Sequence, residues 1–153
     1  MNTLRIYRDD GLPAALVLRA AGGRLPDAFA WAVPPLVRLF DYGFLLGLTT
    51  AVERDALPIC FALLCVLAFH HYDVAYRLRN QGVAPPAWVL AVGGGWDGRL
   101  IVASALALAG VLRVGLLVAA AVLGAVYAAE STASWLRFRR THGPVLGADQ
   151  EIE

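Results

Sequence analysis

The chain contains no lysine. All 13 of its basic side chains are arginine, so every cationic group is a planar guanidinium that stays charged throughout the physiological pH range and binds carboxylate or phosphate through paired hydrogen bonds. Charge of either sign is sparse: 16% of the 153 residues are charged and the formal net charge is +1, which argues against nucleic acid as a partner. Cysteine is limited to Cys60 and Cys65. Their i, i+5 spacing turns them to different helix faces, which excludes a bridge between them and makes them small core residues. Near the start, LPAALVL is short for a secretory core and Asp9 and Asp10 stand where basic residues belong, so no cleaved signal is expected. Apolar residues are abundant, at 59% with a mean hydropathy of +0.61. An ordinary soluble domain holds fewer, and the membrane class follows.

Four apolar segments approach the roughly 20 residues that a membrane-spanning helix needs. The first runs from about Val33 to Val52, opens with Pro34 and Pro35 where a first turn tolerates proline, and carries Gly43 and Gly47 at a spacing that lets helices approach closely. The second runs from about Leu57 to Arg79, the third from near Asp97 to about Leu112, and the fourth from about Val114 to Arg137. Ala120, Gly124 and Ala128 form one stripe on the fourth, which predicts a tight hairpin with the third about Arg113. Arginines cluster before the first segment, between the second and third, and after the fourth, whereas the other two connections hold only Arg54 and Arg113. The predicted fold is therefore all-α: a polytopic bundle of four transmembrane helices in the plasma membrane with both termini cytoplasmic. Residues 1–30 form a leader with a short interfacial helix, 31–137 the bundle, and 138–153 a disordered tail. No internal repeat and no second domain are expected.

In that orientation the intramembrane charges fall toward one side. Arg38 and Asp41 lie near the start of the first helix, His70, His71, Asp73 and Arg77 near the end of the second, Asp97 and Arg99 at the start of the third, and Glu130 near the end of the fourth. Each helix thus brings one carboxylate to the same end, and groups at this depth should face the bundle interior. Local pairing would join Arg38 to Asp41, Asp73 to Arg77 and Asp97 to Arg99. It leaves Glu130 to be protonated or paired across helices, with His70 and His71 the nearest candidates by depth. Adjacent histidines diverge by about 100° on a helix, so one of them joins a given cluster. The polar cluster expected here is Asp41, His71, Asp73, Glu130 and Ser134. Carboxylates from four helices plus a histidine could hold a divalent ion, but three arginines at similar depth repel a cation and neither HExxH nor ExxH is present, so no metal or other cofactor is assigned.

Phosphate suits the arginines better. GGGWDGR, residues 93–99, is a glycine-rich turn feeding a helix with Asp97 as its expected N-cap, which offers backbone N–H groups and the helix dipole to an anion. The expected headgroup-binding set is Arg38, Arg77, Arg99, Gly95 and Asp97. The loop has no preceding strand and no GK[ST], so it is not a nucleotide P-loop. Trp88 and Trp96 read as interfacial anchors. Tyr127, Glu130, Ser131 and Ser134 share one face of the last helix, where serine serves to hold helices together.

The ordered set WAVPPLVRLFDYGFL, FHHYDVAYRLR, PPAW followed by GGGWDGRL, and ESTASW resembles an actinobacterial integral-membrane domain of unknown function that occurs beside CDP-alcohol phosphatidyltransferase-like domains. The resemblance covers Trp31 to Trp135 and implies a setting in phospholipid or envelope glycolipid assembly, with no reaction to carry over. The neighbouring transferases' own DGxxAR pattern is not met, because Asp10-Gly11 continues LPAA and Asp97-Gly98 continues RLIV. The expected function is an accessory or binding component that contacts an anionic headgroup or phosphorylated intermediate. The alternatives are a scaffold subunit that docks a lipid-modifying enzyme, and a metal-dependent membrane transferase that would use Asp73 or Glu130. Whether the chain is an enzyme is left open. Expected partners are membrane lipid, a CDP-alcohol phosphatidyltransferase-like enzyme, or a second copy of the chain.

Overall fold

The computed structural model describes residues 33–80, 82 and 85–142. Among them the order is α1 (Val33–Val52), a 3-10 turn (Arg54–Ala56), α2 (Leu57–Asn80), α3 (Ala87–Val92), α4 (Gly95–Leu108) and α5 (Leu112–His142), with no strand. Proline at the second and third positions of α1 and the second of α2 falls where an N–H would go unbonded. At the far end of α1 the Thr49 and Thr50 hydroxyls donate to the carbonyls of Leu45 and Leu46, both at 2.7 Å. Glu53 then leaves helical geometry at φ −150° and the chain reverses.

Contacts along the bundle fix the directions. The Arg113 backbone N–H donates to Glu53 Oε2 at 3.2 Å at one end, Gly124 faces Val66 midway, and Arg77 meets Glu130 toward the other. Helices α2 and α5 therefore run parallel, side by side, and α1 and α4 run against them. The core between them is Leu45, Cys60, Leu63, Leu67, Ala103, Leu112, Leu116, Leu123 and Tyr127, joined by Val89 from α3. The turn from α4 to α5 is a Schellman ending: Gly110, at φ 71°, donates to Ala107 O at 3.1 Å, and Val111 donates to Leu106 O at 3.0 Å. Shortly after it Gly115 faces Leu106, where a Cβ would overlap that side chain.

The structure corrects the expectation of four membrane spans. Among the described residues, two regions are by length and composition apolar and long enough to cross a membrane, Arg54–Asn80 and Leu112–Thr141. Helix α1 carries Arg38 and Asp41 within its 20 residues, and α4 has 14 residues, about 21 Å of rise against a hydrocarbon layer of about 30 Å. In the two apolar regions 28% and 22% of the hydrophobic window is buried, so most of their apolar surface faces outward, unlike the core helix of a soluble domain. Leu39, Phe61, Ile101, Val114 and Leu117 are among the exposed large apolar side chains.

Helix α5 continues to His142, so residues 138–142 are helical rather than part of a tail. The short helix α3 falls in a stretch that reads as a connection in the sequence, after Pro85 and Pro86. Cys60 is buried but Cys65 is exposed, and both are free thiols. At Gly43 and Gly47 a methyl group would meet nothing within 4 Å, so their spacing serves no contact among the described residues. From the stripe expected to pack α5 on α4, Gly124 faces Val66 of α2, and it is Gly115, outside that stripe, that meets α4. The interfacial leader (1–30) and the tail beyond residue 142 lie outside the described residues, as do the side chains of Trp96 and Asp97.

Candidate functional site

The charged ends of all four long helices meet at one end of the bundle. Among the described residues, Arg38, Arg77, Arg79, Arg99, Arg137, Arg139 and Arg140 stand there in sequence position against Asp41, Asp73, Asp97 and Glu130, an excess of three positive charges. At the opposite end Arg54 and Arg113 balance Glu53 and Asp55. The polar residues of the positive end form two hydrogen-bonded networks, with the His70 and His71 rings between them at 6.1 Å.

The first network joins α2 to α5. Arg77, 1% exposed, donates through Nη1 to Glu130 Oε1 at 3.0 Å and through Nη2 to Glu130 Oε2 at 2.8 Å. The same Nη2 lies 2.7 Å from Asp73 Oδ2, one turn back on α2. The Ser131 hydroxyl donates to Asp73 Oδ1 at 3.0 Å. His70, also one turn from Asp73, stacks on Tyr127 with ring centroids 3.9 Å apart and planes 12° apart. Asp73, Glu130, Ser131 and Ser134 are all buried. The spacing explains the assembly: 70, 73 and 77 fall on one face of α2, and 127, 130, 131 and 134 on one face of α5.

The second network joins α1 to α4 and to α2. Arg99 Nη2 lies 2.7 Å from Asp41 Oδ2, and Arg99 Nη1 donates to the Gly93 carbonyl at the end of α3 at 3.3 Å. Tyr42 Oη and His71 Nδ1 are hydrogen bonded at 2.9 Å. Arg38, partly buried, has no ion-pair partner among the described residues, and its charge and that of Arg99 both reach His71.

Several expectations change accordingly. Asp73 with Arg77 is paired as the i, i+4 spacing predicts, but Asp41 takes Arg99, 58 residues away, instead of Arg38. Glu130 is satisfied by Arg77 and not by a histidine. Of the expected headgroup-binding set, Arg77 has both terminal nitrogens on carboxylates and is buried. Arg99 pairs with Asp41 and with the Gly93 carbonyl but stays partly exposed. His71 lies in the second network, while His70, left out of the expected cluster, sits beside the first; its i, i+3 spacing from Asp73 is the signal in the sequence that points there. Helix α4 has Gly94 as its N-cap with no side-chain cap, and Asp97 stands inside the first turn. Gly94 and Gly95 have φ of 70° and 57°, a left-handed reversal that L side chains resist, so the turn itself requires these two glycines. Among the described residues no three His, Cys, Asp or Glu side chains are grouped to hold a metal ion; the guanidinium of Arg77 occupies the place between Asp73 and Glu130.

At the rim, Tyr72, Tyr76, Trp135 and Phe138 form a ladder of ring contacts with centroids 5.8–6.1 Å apart. Trp88 is exposed at the same end. No curated protein and no solved structure matches the chain. Residues 12–145 match the family of unknown function DUF5941, and with that share of its length matched the chain belongs to this family.

Proposed function

We propose that the chain is an integral membrane protein with α2 and α5 as its long spans, α1 and α4 running back beside them, and the positive end at the cytoplasmic face, serving as an accessory or binding component in phospholipid or envelope glycolipid assembly. One observation carries this reading. The two inward-facing arginines, Arg77 and Arg99, are matched to carboxylates within 3.0 Å, whereas Arg38, Arg79, Arg137, Arg139 and Arg140 have no ion-pair partner among the described residues. The inner charges hold helices together, and the outer ones are left for anionic headgroups or phosphorylated intermediates. Helix α5 supports the placement: its 31 residues measure about 46 Å, enough to cross the hydrocarbon and both headgroup layers. Arg137, Arg139 and Arg140 then stand at headgroup depth, with Trp135 at the boundary. The arginine imbalance between the two ends supports cytoplasmic termini.

The second reading is a scaffold that docks a lipid-modifying enzyme, such as a CDP-alcohol phosphatidyltransferase-like protein. It is favoured by the internal pairing of the buried charges and by the resemblance to a domain found beside such enzymes. Lipid co-purified from mild detergent, measured by native mass spectrometry, separates the two. Replacing Arg79, Arg137, Arg139 and Arg140 together with glutamine is expected to strip anionic lipid from the protein under the binding reading. Unchanged lipid content in that variant would leave the scaffold reading.

A further inference from the structure

Along the outward face of α2 the side chains change in order. Phe61, Cys65 and Phe69 are exposed and apolar, Tyr72 and Tyr76 are exposed phenols, and Arg79 is an exposed cation. Phe69 to Arg79 is about 15 Å of helix, the distance over which an element leaving hydrocarbon passes through the headgroup layer. An open groove lies at the polar end of this face, lined by Tyr72, Ala75, Tyr76, Arg79 and Asn80. Its aromatic wall is braced: Tyr72 stacks with Tyr76 at 6.0 Å, and Tyr76 meets Trp135 of α5 at 5.8 Å. Asn80 Nδ2 donates back to the Tyr76 carbonyl at 3.0 Å, which leaves the Arg79 guanidinium as the charged group of the groove.

We infer that this groove seats one anionic phospholipid, its phosphate on Arg79 with the Tyr72 and Tyr76 hydroxyls as further donors, and its acyl chains running past Phe69 toward Phe61. The sequence of side chains matches the sequence of groups along a lipid, and the positive excess of the described residues at this end favours an anionic headgroup over a zwitterionic one. None of these residues belongs to the buried networks, so the groove can be altered without unpairing them. The inference rests on the reading that this end lies at a membrane surface.

The test titrates phosphatidylglycerol or phosphatidylcholine of matched chains into the full-length protein in mild detergent and counts adducts by native mass spectrometry. Phosphatidylglycerol is expected to be retained about fivefold more, the worth of one arginine near an anionic surface. Arg79→Gln should abolish the preference, Tyr76→Phe should weaken it, and Arg113→Gln at the opposite end should leave it intact. Equal retention of the two lipids, or a preference that survives Arg79→Gln, overturns the proposal. Displacement of the lipid by an equal concentration of inorganic phosphate would overturn the lipid as occupant. Alkaline extraction of cell membranes separates this from the reading beneath it. A chain that stays in the membrane yet lacks the preference overturns the groove alone, and a chain that is extracted overturns both.

Discussion

A guanidinium shared between two carboxylates at 2.7 and 2.8 Å is strong only while both partners are present. Removing one member of a buried pair leaves a charge without compensation, at about 3–5 kcal/mol. Asp41→Asn is therefore expected to destabilise the bundle by about that amount through Arg99, read as unfolding in detergent; a loss below about 1 kcal/mol would mean that the pair is solvated. Arg77→Lys keeps the charge but loses the fork that bridges Glu130 in two places, so its melting temperature should fall between wild type and Arg77→Gln. The depth of each charged residue is legible by counting from the helix ends, which is why the sequence places the charges at one end. The partners are not. Pairing Asp41 with Arg99 rather than Arg38 depends on how α1 and α4 are rotated, and local spacing carries no information on that.

Between elements, the register rests on a few small residues at the crossings. Gly110 holds φ 71° in the Schellman turn, so Gly110→Ala is expected to cost about 1–2 kcal/mol; an unchanged unfolding midpoint would show that the turn relaxes freely. Gly124 leaves a Cβ 3.4 Å from Val66. Gly124→Ala should be tolerated, and Gly124→Leu should force α5 off α2, visible as a reduced melting temperature. The existence of the long helices and most of their boundaries are readable from apolar length and from proline and glycine punctuation. The direction each small residue faces is not, because Gly115 and Gly124 lie on the same helix yet serve different neighbours. Nor does apolar length give the number of crossings: an apolar helix of 14 residues and a charged one of 20 pack well against two longer helices without qualifying as spans on their own.

For the whole molecule, the parallel course of α2 and α5 means that the chain between Asn80 and Leu112 must return along the bundle, a task that falls to α3 and α4. In the proposed placement the positive end then faces one side of the membrane throughout. Single cysteines placed at Arg113 and at Arg140, in a variant with Cys60 and Cys65 replaced by alanine, should label from opposite sides in intact cells, with Arg140 protected from an impermeant reagent. Labelling of both from outside would reverse the topology proposed.

The arginines divide into those that hold helices together and those that face outward, and the proposed role depends on that division. The direct measurement is the melting temperature of Arg77→Gln beside Arg79→Gln in one detergent. A large fall for Arg77→Gln with Arg79→Gln at the wild-type value is the expected result. Equal falls, or a stable Arg77→Gln protein, would contradict it.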